Sequence, residues 1–85
     1  MITAYILLRI KPGKDRNVLN TVTKLPPIKT VETLYGEFDM LLKAEVPTLE
    51  ELDSFIFETI RTINGVDVST TLITMRFSGE QNVEK

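Results

Sequence analysis

From Asp39 to Val46 the chain alternates with a period of two: Met40, Leu42, Ala44 and Val46 fall on one side, Asp39, Leu41, Lys43 and Glu45 on the other. That period belongs to a half-buried β-strand and to no helix, because successive side chains of an extended chain point to opposite faces. Just upstream, Val31, Thr33 and Tyr35 alternate with Glu32 and Leu34, and Gly36 supplies a turn signal between the two runs. Together they predict a hairpin with strands over about 28–35 and 39–46, a turn at 36–38 and one buried face. Residues 2–10 repeat the pattern, with Ile2, Ala4, Ile6, Leu8 and Ile10 on one face and Thr3, Tyr5, Leu7 and Arg9 on the other.

Between the strands the period changes. Lys11-Pro-Gly-Lys14 reads as a turn. Residues 15–25 then place Val18, Leu19, Val22 and Leu25 on one helical stripe, with Asp15 as the N-cap and Pro26-Pro27 as the stop. Pro47 precedes Thr48-Leu-Glu-Glu51, a capping box that opens a second helix. Its inner stripe is Leu49, Leu52, Ile56 and Ile63, flanked by Phe55 and Ile60, and Asn64-Gly65 ends it. A last strand runs over about 66–77. The order is β-α-β-β-α-β, the ferredoxin-like α+β arrangement, in which a four-stranded antiparallel sheet carries two helices on one face. It predicts one domain over 1–78 and a polar C-terminal tail over 79–85.

The sheet face away from the helices should also be apolar. It carries Tyr5, Leu7, Leu41 and, from the last strand, either Leu72 or Ile73 with Met75 or Phe77; the register of that strand is open. A face left to water would be mostly polar. A chain of 85 residues has a thin core and needs help to stay folded. It has no cysteine for a disulfide and no histidine, so thiolate and imidazole metal sites are excluded and association is the help left. Burying four large side chains against a second copy contributes on the order of 6–12 kcal/mol before association costs. A homodimer joined sheet to sheet is expected.

Charge and residue types narrow the function. The net charge is -2 and the 10 Lys and Arg are scattered, unlike the clustered basic surface that grips phosphates, so direct nucleic-acid binding is not expected. No apolar window is long enough to span a membrane, and the N-terminus lacks a basic leader. A cytoplasmic protein is expected. Without His or Cys, neither of the usual nucleophile–base sets can be assembled. Glu50 and Glu51 diverge as adjacent helical residues, and no glycine-rich phosphate loop occurs. No catalytic residue, metal or cofactor is expected.

Binding chemistry fits better. Gly36 lets backbone approach a ligand closely, and Asp39 can pair with an ammonium group. Ser69, Thr70 and Thr71 offer three hydroxyls to a carboxylate, with Ser69 and Thr71 on one face. An α-amino acid presents that pair of charges. The same residues have an architectural reading as an Asx-stabilised turn and ordinary strand formers.

These residues also carry a resemblance. Gly36-Glu-Phe-Asp39-Met-Leu-Leu-Lys43 resembles the Gly-x-Tyr-Asp-hydrophobic run of the effector (RAM) domain of the Lrp/AsnC family. Pro47 to Phe55 is similar to that domain's second helix, Ile63-Asn-Gly-Val66 to its Pro-Gly-Val turn, and Ser69-Thr-Thr-Leu-Ile73 to its Thr-x-Thr last strand. The likeness covers residues 2–77. It implies sheet-to-sheet dimers that assemble into octamers or decamers, with amino-acid effectors bound between dimers. The implied ligand-binding residues here are Gly36, Glu37 and Asp39 with Ser69, Thr70 and Thr71, and Thr33 and Leu34 beside them. Phe38 stands for the usual tyrosine and Ser69 for a threonine. The family's helix-turn-helix has no counterpart among these residues, so the chain resembles the stand-alone form. The resemblance implies an amino-acid-binding regulatory module, with a full-length Lrp/AsnC-type regulator as a possible partner. The alternatives are a small oligomeric enzyme of the dimeric ferredoxin-like barrel type and a purely structural oligomer.

Overall fold

The alternation in residues 2–10 produces β1 (Ile2–Ile10), which becomes an interior strand of the sheet. In a computed structural model, which describes residues 1–75, it is followed by α1 (Asp15–Val22), β2 (Ile28–Thr33), β3 (Met40–Val46), α2 (Leu49–Ser54) and β4 (Val66–Ile73). The expected tail over 79–85 and Phe77 lie outside the described residues. The strand order is β2-β3-β1-β4 with antiparallel neighbours. Each helix therefore connects two parallel strands that have one antiparallel strand between them, as the split βαβ pattern requires.

The even-numbered residues of β1 and β3 form the floor of the core. Ala4, Ile6, Leu8, Met40, Leu42 and Ala44 are buried there, and Val18, Val22, Leu52, Ile56 and Ile60 cover them from the helices. Full burial of an Ile, Leu or Met side chain contributes about 1.5–3 kcal/mol, so the matched parity of these two strands is the main stabilising feature. The register of β4 settles the open question. Tyr5 lies opposite Leu72 and Ala4 opposite Ile73, so Leu72 faces away from the helices with Tyr5, Leu7 and Leu41. A β-bulge at Asp67, between the Arg9–Val68 and Ile10–Val66 pairs, keeps both Val66 and Ser69 on the helix side.

Several element ends are shorter than the sequence pattern suggests. α1 stops at Val22, and Asp15 is its first residue rather than its cap; Lys14 holds the cap position without a side-chain bond. There the Asp15 carboxylate acts on the helix dipole instead of on an amide. β2 ends at Thr33 and β3 starts at Met40, because residues 34–39 form a loop longer than the expected tight turn.

α2 opens as the capping box predicts, with the Glu51 N–H donating to Thr48 Oγ1 at 3.1 Å. The return bond from the Thr48 amide to the Glu51 carboxylate is absent among the described residues. Beyond Ser54 the helix widens into a π-helical turn over Phe55–Thr59, where the Ile60 N–H reaches both Phe55 O and Ile56 O, and then tightens to 3₁₀ over Ile60–Thr62. The wider turn carries one extra residue and shifts the apolar stripe. Ile60, expected at the flank, is 0% exposed, whereas Leu49, expected inside, is 54% exposed. Gly65 then passes close to α1 at φ +110°. A Cβ there would meet Lys14 Cβ at 2.6 Å, so the stop signal also marks a place where only glycine fits.

The phase shift has a measurable consequence. Ile60→Ala should cost about 2–5 kcal/mol of stability, and Leu49→Ala about 0.5 kcal/mol or less, by urea unfolding at one protein concentration. Equal costs at the two positions would contradict the shifted stripe.

Candidate ligand-binding site

The loop between β2 and β3 is built on the end of β1. The Leu34 N–H donates to Asp39 O at 2.9 Å, and the Asp39 N–H donates to Leu8 O at 2.8 Å. The Asp39 carboxylate then continues the ladder where β3 has not yet begun: its Oδ2 accepts the Ile10 N–H at 2.7 Å. The sequence pattern assigns the whole Asp39 carboxylate to a ligand's ammonium; in the fold one oxygen is already committed to this backbone amide. The other has no hydrogen-bond partner among the described residues.

Gly36 sits at φ +128°, and a Cβ at this position would meet nothing within 4 Å, so glycine is needed for the backbone bend and not for space. Glu37 and Phe38 are drawn to Arg9 on β1. Arg9 Nε donates to Glu37 O at 3.2 Å, its Nη2 lies 3.6 Å from Glu37 Oε2, and its guanidinium carbon stands 5.8 Å from the Phe38 ring centre. An exposed ion pair of this kind adds little stability by itself; three contacts from one side chain do fix where the loop lies. The N–H groups of Tyr35, Gly36, Glu37 and Phe38 have no protein acceptor among the described residues. They are donors open to water or to an anion.

The second group of residues lies across β1. Ser69 is opposite Leu8, Thr71 opposite Ile6, and Thr70 opposite Leu7. Ser69 and Thr71 therefore share the helix side, as the spacing predicts, while Thr70 faces the open side. Between β4 and the second helix runs a groove of about 210 Å³, lined by Asp53, Phe57, Arg61, Ser69, Thr71 and Ile73 among others. Arg61 Nε donates to Ser69 Oγ at 3.3 Å, and its guanidinium carbon is 4.6 Å from the Phe57 ring centre. Sequence reasoning missed Arg61, Phe57 and Asp53. The available signal was the aromatic–cation pair at i, i+4, which puts Phe57 and Arg61 on one side of a helix. Thr33, exposed at the end of β2 opposite Met40, borders a separate hollow with Asp15, Arg16 and Asn20, and Leu34 is half-buried.

The eight expected residues thus form two clusters at the same end of the sheet. Met40 and Ser69 flank Leu8 on either side, which separates the loop from β4 by two strand spacings, about 9.6 Å. Asp39 and the Ser69 and Thr71 hydroxyls do not converge on one point within a protomer. Among the described residues there is no cluster of metal-ligating side chains and no helix long and apolar enough to cross a membrane.

Comparison with known proteins supplies the family. The profile of the Lrp/AsnC ligand binding domain matches residues 3–82. The chain belongs to the Lrp/AsnC family. It is 33% identical over 79 residues to the HTH-type transcriptional regulator FL11 of Pyrococcus furiosus, covering 93% of this chain and 52% of that protein. The chain spans about half the length of the curated relatives it matches. Among solved structures, FFRP-DM1 superposes with a TM-score of 0.86 at 37% identity, covering 88% of this chain and 100% of that one. The transcriptional regulator NMB0573 of Neisseria meningitidis, solved as a complex with L-Met, superposes with a TM-score of 0.83 at 25% identity, covering 88% of this chain and 50% of that one. The Lrp/AsnC fold and its ligand-binding domain are therefore those of this chain.

The Asp39–Ile10 bond separates two substitutions. Asp39→Ala leaves the Ile10 amide without its partner and should cost about 1–3 kcal/mol. Asp39→Asn keeps an acceptor oxygen there and should cost clearly less. Urea midpoints of the two variants, with hydrogen exchange at the Ile10 amide, test this; equal losses would mean that the bond contributes nothing.

Proposed function

We propose that this chain is an amino-acid-binding regulatory module whose effector sits between protomers and alters which assembly is favoured. The observation that supports the reading is the division of the candidate residues into two groups at one end of the sheet, one on either side of β1. In this reading the loop of one protomer takes the amino acid's main-chain groups, with the ammonium on the free oxygen of Asp39 and the carboxylate on the amides around Gly36 and Glu37. Ser69 and Thr71 of a neighbouring protomer then meet the side chain.

The assembly begins with a dimer formed through the open sheet face. Tyr5, Leu7, Leu41 and Leu72 lie there together, and Leu72 is 54% exposed in the protomer. Contiguous apolar surface of this kind marks an association site. Dimers assemble further into an octamer or decamer, as the family resemblance implies, and a full-length Lrp/AsnC-type regulator is the partner through which the module acts on transcription. A ligand that completes its site only where two protomers abut stabilises that contact by mass action. The role is regulatory and not catalytic.

Thermal unfolding against the twenty amino acids, with mass by light scattering on the same samples, tests the reading. One or a few amino acids should raise the midpoint and shift the mass toward octamer or decamer. No shift with any of them, at fixed mass, would leave a structural oligomer instead.

The dimer surface is tested apart from the ligand. Leu72→Glu alters a side chain already half in water in the protomer, so the fold should tolerate it within about 0.5 kcal/mol. Against a facing sheet the same charge is buried unpaired, and the mass should fall toward the monomer. An unchanged dimer would place the contact elsewhere.

A further inference from the structure

Arg61 lines the groove between β4 and the second helix and has no carboxylate partner among the described residues. Among the described residues the one ion pair is Arg9 with Glu37, and no described carboxylate pairs with the Arg61 guanidinium. Nor is it a freely waving surface charge. Its Nε donates to Ser69 Oγ at 3.3 Å and its guanidinium carbon stands over the Phe57 ring, 4.6 Å from the centre. Stacking and one hydrogen bond hold the fork in place and leave its terminal N–H groups to bond elsewhere. Thr71, two residues on from Ser69, adds a hydroxyl on the same side of β4 and lines the same groove.

We propose that Arg61, with Ser69 and Thr71, reads a carboxylate on the effector's side chain, so that the module responds to an acidic amino acid. This rests on the effector reading above and deepens it: the loop of one protomer holds the groups every amino acid has, and the groove of its neighbour holds the group that differs. A planar, pre-oriented guanidinium suits a carboxylate because two parallel N–H···O bonds form at once. The groove volume of about 210 Å³ lies below the ~300–1,000 Å³ of pockets for drug-sized ligands, which suits a short side chain.

Two acidic residues flank the arginine. Asp53 is eight residues back along the helix and lines the same groove, and Asp67 borders a hollow shared with Arg61 and Ser69. Neither pairs with Arg61. Through intervening water their repulsion is screened, whereas the direct pair is not. They disfavour an anion that fails to reach the guanidinium, which makes Arg61 decisive.

The test uses the parent protein, Arg61→Gln and Arg61→Lys, with L-glutamate, L-aspartate, L-glutamine, L-asparagine and L-leucine as probes, read by calorimetric titration and by mass. For the parent, an acidic amino acid should bind on the order of 10- to 100-fold more tightly than its amide. Arg61→Gln should remove that preference by weakening the acidic ligand while the amide is unchanged. Arg61→Lys keeps the charge but not the fork and should fall between them. Binding of a neutral amino acid with no preference for the acidic one would overturn the role of Arg61 and leave the effector reading standing. No binding of any amino acid in the full set of twenty would overturn both. An acidic preference that survives in Arg61→Gln would place the side-chain contact elsewhere.

Discussion

β1 exchanges hydrogen bonds with β3 on one side and β4 on the other, and the parity of its residues governs the rest of the molecule. A slip by one residue would turn Ile6 and Leu8 out of the core and Tyr5 and Leu7 into it. The same strand carries the attachment points of the candidate site. Leu8 O receives the Asp39 amide, the Ile10 amide binds the Asp39 carboxylate, and Arg9 fastens Glu37. Opposite the same Leu8 stands Ser69. The positions of the loop and of the β4 hydroxyls are therefore not independent. Both are referred to one short stretch, Leu8 to Ile10, whose two apolar side chains are buried in the core.

That dependence explains what could be read from residue order and what could not. Strict alternation in β1 and β3 makes the face assignment of every residue in them legible, and the helix signals between strands then leave the ferredoxin-like order. β4 is different. Ser69 to Ile73 are all acceptable strand residues on either face, so only pairing with β1 and the bulge at Asp67 decide that Leu72 lies outward and Thr71 inward. The second helix misleads for a related reason. A period of 3.6 does not hold through a π-helical turn, and the extra residue moves Ile60 inward; Leu49, the first residue of the helix and upstream of that turn, is half in water independently of it.

The candidate site was legible as a set of residue types and not as an arrangement. Gly36 and Asp39 stand out because a positive φ and a carboxylate at a loop end are local requirements. That one oxygen of Asp39 serves Ile10 depends on a strand 29 residues away, and no local pattern records it. Arg61 is only half legible. Its spacing from Phe57 offers a contact along one helix face, but a charged residue there ordinarily reads as solvated, and the bond to Ser69 arises only when β4 is laid beside the helix.

Separation of the two clusters bears on how binding would be coupled to assembly. A ligand shifts an equilibrium only by the difference between its affinities for the two states, however tightly it binds either. Had Asp39, the loop amides and the β4 hydroxyls converged inside one protomer, a lone protomer and an assembled one would bind alike, and the ligand would stabilise the fold without favouring any assembly. With β1 between the clusters, on the proposed reading a protomer would offer each ligand half its contacts and juxtaposition would supply the rest. At a ligand concentration 100 times the dissociation constant of the completed site, the stabilisation is about 2.7 kcal/mol per site. That is small against the cost of immobilising a protomer, but a closed ring repeats the same contact at every junction and the contributions accumulate around it. If the two clusters are half-sites as proposed, their separation favours an effector acting on assembly over one acting on the shape of a single domain.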